Sequence, residues 1–554
     1  MLALLQQTSD FQIISRETVQ LIMPEVILTV FGCAALVLDV MLPRALKKVV
    51  AWVSLSGVGL SLVSLGILYP NLVNNQSARV GFFEMILVDD YAVVFKLMFL
   101  IGAAISIILS IKYLDEEGEQ HGEYYSLILF SVVGMMFMAS AVDLLSLFIS
   151  LELMAISVYI LVGYLKRDRK SNEAAMKYFL LGAFSSGVLL YGMSMVYGLT
   201  GSTNLAKIAA AIPNVLKIDV VKTMTERSVM DMRYLLLLSM VFMAAGMFFK
   251  IAAVPFHMWA PDAYEGAPTS ITAFMSVGVK AASFAMFGRL FLYGLPDLRA
   301  TIAGNAADSV PSLPGWAVLL GVISAITIVW GNLGALTQNN LKRLLAYSSI
   351  SHAGYTLLGL IAGNQTGYIG VVLYLFIYTI MNLGIFGCII ALKRRGISGD
   401  NINDLNGLIK KAPWLTVMMT IFLLSLGGIP PTAGFIGKFY LFGGLIETGN
   451  PWLARLAILA VVMTVVSLYY YLRFVKHMYI EEETETTPLA PSRVLNWTLS
   501  VAAVVIVLIG VYPKWFIDIS QRAARSQALK TYSYKAEEAE QPLELPGSMG
   551  APSR

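Results

Sequence analysis

The 554-residue chain is 57% hydrophobic and 13% charged, with a mean hydropathy of +0.72. A water-soluble domain carries about 25% charged residues, so this composition excludes the soluble classes and points to a polytopic membrane protein. The formal charge of +4 comes without a basic stripe interleaved with aromatics, which excludes a nucleic-acid partner.

Further classes fall away. Alternating ten-residue strands do not occur, which argues against an outer-membrane barrel. The two cysteines, Cys33 and Cys388, both lie in apolar runs. They are too few for an iron–sulfur cluster and read as small buried hydrophobes. Residues 1–18 lack the basic start and short apolar run of a cleavable signal, so the first span is expected to stay in the membrane.

In chain order, about fourteen apolar runs are long enough to cross a bilayer as helices, at roughly 19–40, 49–69, 91–111, 124–141, 143–165, 174–199, 233–256, 268–294, 316–335, 342–362, 367–392, 413–446, 453–480 and 494–513. The twelfth is too long for one straight helix and contains Gly427-Gly428-Ile429-Pro430-Pro431, so it reads as two half-helices. Pro255 and Pro261 break the seventh in a similar way. The expected fold is an all-α polytopic membrane protein with broken helices 7 and 12.

Lys and Arg concentrate in one set of loops: Arg44/Lys47/Lys48, Lys166/Arg167/Arg169/Lys170, Lys342/Arg343 and Lys393/Arg394/Arg395/Lys410/Lys411. That side is cytoplasmic by the positive-inside rule. The loop 200–232 faces outward yet carries lysines, and dissents from this orientation. Residues 521–554 are polar and rich in Glu, Pro and Gly, and read as a disordered outward tail.

Four ionisable residues lie deep inside separate spans: Glu152, Lys250, Lys280 and Lys438. Each costs roughly 2.5–3.5 kcal/mol to insert at the centre of a helix, so a set of four suggests a path for charge. Lys250 precedes Pro255 by five residues. A proline frees a backbone carbonyl, and the break can wet the lysine. The bland alternative is a lysine snorkelling to the interface. Glu152 beside Lys250 would form a pair whose separation makes the lysine give up its proton; the alternative is a static ion pair. Lys280 is a natural next station, or a structural lysine on a backbone partner. Lys438 follows the double-proline break. Its GIPPTAGFIGK setting superficially suggests a phosphate loop, but Phe439 stands where a Ser or Thr is needed and no strand precedes it.

His352 suits a relay, because imidazole titrates near neutrality, or it is a satisfied buried histidine. His257, at the cytoplasmic end of the seventh span, is a candidate for gating entry. Tyr347, Ser348, Ser349, Tyr374, Tyr378 and Asn382 could hold water between stations or glue helices together. Glu25 and Lys96, on the first and third spans, read as structural or partner-facing.

At these residues the chain resembles a known family. PFHMWAPDAYEGAPTSITAFMSVGVKAASFA (255–285), NLKRLLAYSSISHAGY (340–355), GGIPPTAGFIGKFYLF (427–442) and DLLSLFISLELMAISVYILVGY (143–164) resemble the antiporter-like membrane subunits of respiratory complex I, NADH-quinone oxidoreductase. The likeness covers about residues 20–510. The lysine at position 438 and the YEGAPT segment set the chain apart from subunit M, and it lacks the long amphipathic C-terminal helix of subunit L.

The resemblance implies fourteen helices with two inverted five-helix repeats. The resulting division is 1–123, a three-helix segment; 124–294, the first repeat (helices 4–8); 316–480, the second (helices 9–13); 494–513, the last helix; and 521–554, the tail. It also implies that Glu152 partners Lys250, that Lys280 connects, and that Lys438 lies on the exit side. The eleventh span offers no ionisable station, which leaves His352 as the link between Lys280 and Lys438.

The expected function is proton translocation driven by electron transfer in partner subunits. No cofactor or metal is expected in this chain; NAD, FMN, iron–sulfur clusters and quinone would sit on those partners. The implied neighbours are subunit M and the small K/J/A-type subunits, in the bacterial inner (plasma) membrane rather than a thylakoid. The rivals are a subunit of a multisubunit cation/proton antiporter and a structural membrane-arm subunit.

Overall fold

The computed structural model describes residues 16–43, 46–75, 79–217, 232–299, 301–302, 313–393, 399–482 and 492–539. Arg44, Arg394, Arg395, residues 218–231 of the dissenting loop and residues 540–554 of the tail lie outside the described residues.

The long helices are α1 (Met23–Met41), α2 (Lys48–Asn75), α3 (Asp90–Glu117), α4 (Gly122–Ser140), α5 (Leu144–Val162) and α6 (Arg169–Thr200). After a shorter α7 (Leu205–Lys217) come α8 (Met232–Ile251), the seventh span up to its break, and α9 (Trp259–Gly266), a short helix at the rim beyond the break. Next are α10 (Thr269–Gly294), α11 (Trp316–Leu336), α12 (Leu341–Ala362) and α13 (Gln365–Leu392). The broken twelfth span is α14 (Pro413–Gly427) plus α15 (Ala433–Glu447), and α16 (Pro451–Tyr479), α17 (Arg493–Val511) and α18 (Lys514–Ala539) complete the chain. Among the described residues thirteen helices are long and apolar enough to cross a membrane; the paired halves α14 and α15 add one more crossing. The protein is an all-α polytopic membrane protein, with two small two-stranded antiparallel sheets at the loops, Arg79–Gly81 with Ile86–Val88 and Thr301–Ile302 with Leu313–Pro314.

Local sequence sets the helix starts. Asp89, Asp143, Asp168, Asn340 and Asn364 each cap a helix by accepting from backbone amides of its first turn. Helices α3, α4, α10, α12 and α13 form the interior, while α1, α2, α6, α11, α16 and α17 form the perimeter. Close approach depends on small residues, because lipid gives no hydrophobic drive between helices. A Cβ at Gly134 of α4 would lie 2.7 Å from the Ser150 carbonyl and 2.6 Å from the Met154 nitrogen, so a side chain there would push α5 away.

One face gathers the positive loops. Arg167, Lys170, Lys342 and Lys393 line a single cavity of about 590 Å³ together with Glu117, Glu119, Asp168, Glu265 and Asp400. This arrangement agrees with the topology read from the loops.

Two expectations need correction. Cys33 is exposed. It lies on the outer stripe of α1 with Val30 and Val37, both 58% exposed, three residues before it and four after. Residues 521–539 are not a loose tail but the continuation of α18. Buried Ser520, Ala523 and Ala524 share one face of α18, whose small side chains let it lie against α13 and α3, and Phe516 meets Phe376 at 5.4 Å between ring centroids.

Candidate proton-transfer site

The three intramembrane lysines are enclosed by protein. Lys250, Lys280 and Lys438 are 1%, 3% and 4% exposed, so none of them snorkels to the membrane surface. Each sits on a different span and each has its own set of partners.

Lys250 is in the last turn of α8 and donates to the Tyr159 hydroxyl at 3.1 Å. Its ammonium also stands 5.6 Å from the Tyr159 ring centroid and 5.9 Å from that of Phe249. The break beyond it is closed by other groups. Ala252 takes a left-handed backbone with φ +59°, Trp259 Nε1 donates to the Phe249 carbonyl at 2.9 Å, and the Val254 amide donates to Thr327 Oγ1 at 3.0 Å. The Phe249 carbonyl, which also accepts from the Ala252 amide at 3.0 Å, is thus held by an indole from beyond the break.

Glu152 does not pair with Lys250 in this structure, a correction to the expected contact. The two interact electrostatically, but none of the described ion pairs joins them, and the buried Glu152 Oε1 has no hydrogen-bond partner. Tyr159 is seven residues further along α5, on the same face, and its hydroxyl takes the ammonium instead. Glu152 is only partly buried, beside the exposed stripe Ile149, Leu153 and Ile156.

Lys280 follows a π-helical turn, Met275–Val279, in the middle of α10. Widened turns of this kind are frequent at functional sites. The ammonium donates to the Ser349 carbonyl at 2.6 Å and to the Ser349 hydroxyl. That hydroxyl is a junction: Tyr378 donates to it at 2.8 Å and Tyr264 OH lies 3.3 Å away. Asn382 Nδ2 then reaches the Tyr378 hydroxyl at 3.2 Å and Ser276 Oγ at 2.6 Å.

His352, one turn beyond Ser348 on α12, bonds Tyr374 OH through Nδ1 and Tyr471 OH through Nε2 at 3.0 Å. Tyr471 OH in turn meets Ser348 Oγ at 2.5 Å. The imidazole lies within electrostatic reach of both Lys280 and Lys438. Lys438, in the second turn of α15, donates to the carbonyls of Leu426 at 3.0 Å and Gly427 at 3.3 Å, the open end of α14. It stands 5.2 Å from the Tyr355 ring centroid.

His257 is buried beside Trp330, 5.9 Å between ring centroids, and its Nδ1 has no hydrogen-bond partner. It joins neither the Lys250 nor the Lys280 cluster. Glu25 and Lys96 pair with each other at 2.6 Å, fully buried between α1 and α3. The sequence reading overlooked Tyr159, Tyr264, Tyr355 and Tyr471, and also Arg289, which is fully buried on α10 and forks onto Asp89 at 2.6 and 3.0 Å. A hydroxyl one or two turns from a buried charge, as Tyr159 is from Glu152, was the available signal for the first.

A bundle of membrane helices with two breaks and lysines buried beside them defines a polytopic membrane protein that keeps charge in its interior. Residues 141–464 match the family model described as NADH:quinone oxidoreductase/Mrp antiporter, transmembrane. The chain is 47% identical over 508 residues to NADH-quinone oxidoreductase subunit N 2 of Solibacter usitatus, covering 90% of this chain and 96% of the relative. It is 45% identical over 521 residues to subunit N 1 of Koribacter versatilis, covering 92% and 96%. A chain in the structure of respiratory complex I from Thermus thermophilus with bound aureothin superposes with a TM-score of 0.69 at 30% identity, covering 89% of this chain and 98% of that one. The chain belongs to the subunit N family of NADH-quinone oxidoreductases, among the antiporter-like membrane subunits.

Proposed function

We propose that this chain carries protons across the bacterial plasma membrane as a subunit of an NADH:quinone oxidoreductase. NADH oxidation and quinone reduction belong to partner subunits, which hold NAD, FMN, iron–sulfur clusters and quinone. The membrane neighbours are subunit M and the small K/J/A-type subunits. One observation carries the reading: three lysines on separate spans are sealed from lipid, yet each touches a hydroxyl, an aromatic ring or a backbone carbonyl through which its charge is held.

In this reading the Glu152–Lys250 couple is the input. When the partners separate, Lys250 loses the carboxylate that favours its charged form and passes a proton on. Lys280 receives charge at the Ser349 junction, and the Ser348–Tyr471–His352 chain leads toward Lys438. Hydroxyls and imidazole suit this work because each can accept a hydrogen bond on one side while donating on the other. Carrying one charge against 100 mV costs about 2.3 kcal/mol, so the redox partners must drive the process.

Lys250→Ala in the intact complex tests the proposal. Proton pumping per quinone reduced should be lost and quinone reduction slowed, with assembly unchanged. Unchanged pumping at full assembly would overturn the reading in favour of a scaffold, and sodium movement in place of proton movement would favour a cation/proton antiporter.

A further inference from the structure

The lysine of the first break rests on a phenol, while its carboxylate partner is left without a bond. Lys250 donates to Tyr159 OH at 3.1 Å. Among the described residues no acceptor takes the phenol's own proton. Glu152 Oε1 is buried and unpartnered on the same face of α5. Seven residues separate Glu152 from Tyr159, about 10 Å along a helix axis. A swinging lysine side chain and an extended glutamate can close that gap together.

The phenol is held in place from two sides. On α6, Gly182 leaves the space the hydroxyl occupies: a Cβ there would collide with the hydroxyl and lie 2.6 Å from Tyr159 Cζ. The Tyr159 ring packs edge-on against Tyr178 at 4.7 Å and Phe179 at 5.8 Å between centroids. Tyr178 stacks on Trp259 at 4.4 Å, and Trp259 caps the carbonyl that ends α8. An aromatic column thus connects the phenol to the break that carries Lys250.

We propose that Tyr159 is a positioning residue that latches Lys250 away from Glu152, and that Gly182 is bare so that the hydroxyl can stand there. The inference rests on the proton-carrying role of Lys250 and adds a second station for it. In the latched state the ammonium donates to the phenol oxygen and Glu152 is free to exchange a proton. In the unlatched state the ammonium moves to the carboxylate. A neutral amine can also be served at Tyr159, because the phenol proton is available to the nitrogen lone pair. The latch therefore holds the lysine through either protonation state, and unlike a backbone carbonyl it also offers a donor to the lone pair of the neutral amine.

The test uses the intact complex in proteoliposomes, with variants Tyr159→Phe, Gly182→Ala and Lys250→Ala. Proton pumping is measured per quinone reduced, and the glutamate carboxylate stretch is followed by isotope-edited infrared spectroscopy. Tyr159→Phe should lower pumping roughly tenfold, the effect of one hydrogen bond to a charged group. It should also shift a carboxylate band to the ion-paired position, and that shift should vanish in the Tyr159→Phe/Glu152→Gln double variant. Gly182→Ala keeps the phenol but displaces it, and should move the same band in the same direction. If Tyr159→Phe fails to assemble, Gly182→Ala alone decides the matter. Normal pumping and an unshifted band in the assembled variants overturn the latch. If Lys250→Ala abolishes pumping while those variants are normal, only the latch falls; if Lys250→Ala also pumps normally, the proton role itself fails.

Discussion

The two breaks contain similar residues arranged in opposite order. Lys250 precedes its break and Lys438 follows its own. At the first break an indole and the Ala252 amide share the Phe249 carbonyl, and the lysine goes to a phenol. At the second the lysine itself caps two loose carbonyls. A carbonyl can only accept, so Lys438 is part of the scaffold of its helix end as well as a buried charge. Lys250 bonds a side-chain hydroxyl and no backbone carbonyl, so it can change partner without orphaning a backbone group. The same residue type caps a helix end in one half of the molecule and rests on a phenol in the other.

That contrast can be broken by experiment. The largest effect is expected for Lys438→Met, which strips the donor from the Leu426 and Gly427 carbonyls. Each buried group left unsatisfied costs about 1–3 kcal/mol. Hydrogen exchange at the Gly428 and Ile429 amides, which close the same turn onto Ser425 and Leu424, should accelerate accordingly. Trp259→Phe is the equivalent at the first break and should loosen the Ala252 and Ala253 amides, whereas Lys250→Met should leave those amides protected. Equal loosening by Lys250→Met and Lys438→Met would remove the distinction.

A smaller effect is expected between the breaks. Ser349→Ala removes the shared hydroxyl but keeps the carbonyl bond to Lys280. The hydroxyl of Tyr378 then loses one acceptor, at a cost of about 1 kcal/mol. Thermal denaturation of the purified complex should drop slightly, and proton pumping should fall more than stability does if the junction carries protons.

The smallest effect concerns the charged rim of the first break. Asp262 is bonded by Lys177 at 2.7 Å and Arg343 at 2.8 Å, and Glu265 by Lys170 at 2.9 Å and Arg343 at 3.1 Å. Burial alone would raise both carboxyls, but the hydrogen bonds and charges of these cations outweigh it and hold them below the usual carboxylate range. Because both values are depressed, the stabilisation is complete above the ordinary range near pH 4 and disappears as pH falls through the lowered values. Arg343→Ala should therefore lower stability modestly at pH 7, where the contribution is fully present, and the difference from the parent should vanish as pH falls through the lowered values, read by thermal denaturation across pH.

Much of this was legible in the sequence. Apolar run length gave the spans, prolines and glycines gave both breaks, and four ionisable residues in hydrocarbon-length runs marked the chemistry, because each of those signals is local and energetically costly to fake. The α18 helix was missed because its polar side chains resemble those of an unstructured tail, and only its buried face of Ser520, Ala523 and Ala524 against the bundle distinguishes it. The exposed Cys33 was misjudged because an apolar run does not tell which of its faces turns outward.

The chain alone determined that charge is buried, on which helices, and next to which breaks: the cost of placing an ion in hydrocarbon is a property of the residue and the length of its run. Tertiary structure decided which partner each charge meets. Tyr159 rather than Glu152 takes Lys250, the α14 carbonyls take Lys438, and Ser349 gathers Lys280 with two tyrosines. Those pairings join residues far apart in the chain, and hydrogen bonds of about 3 Å form only after packing has fixed helix depth and rotation to a fraction of a turn.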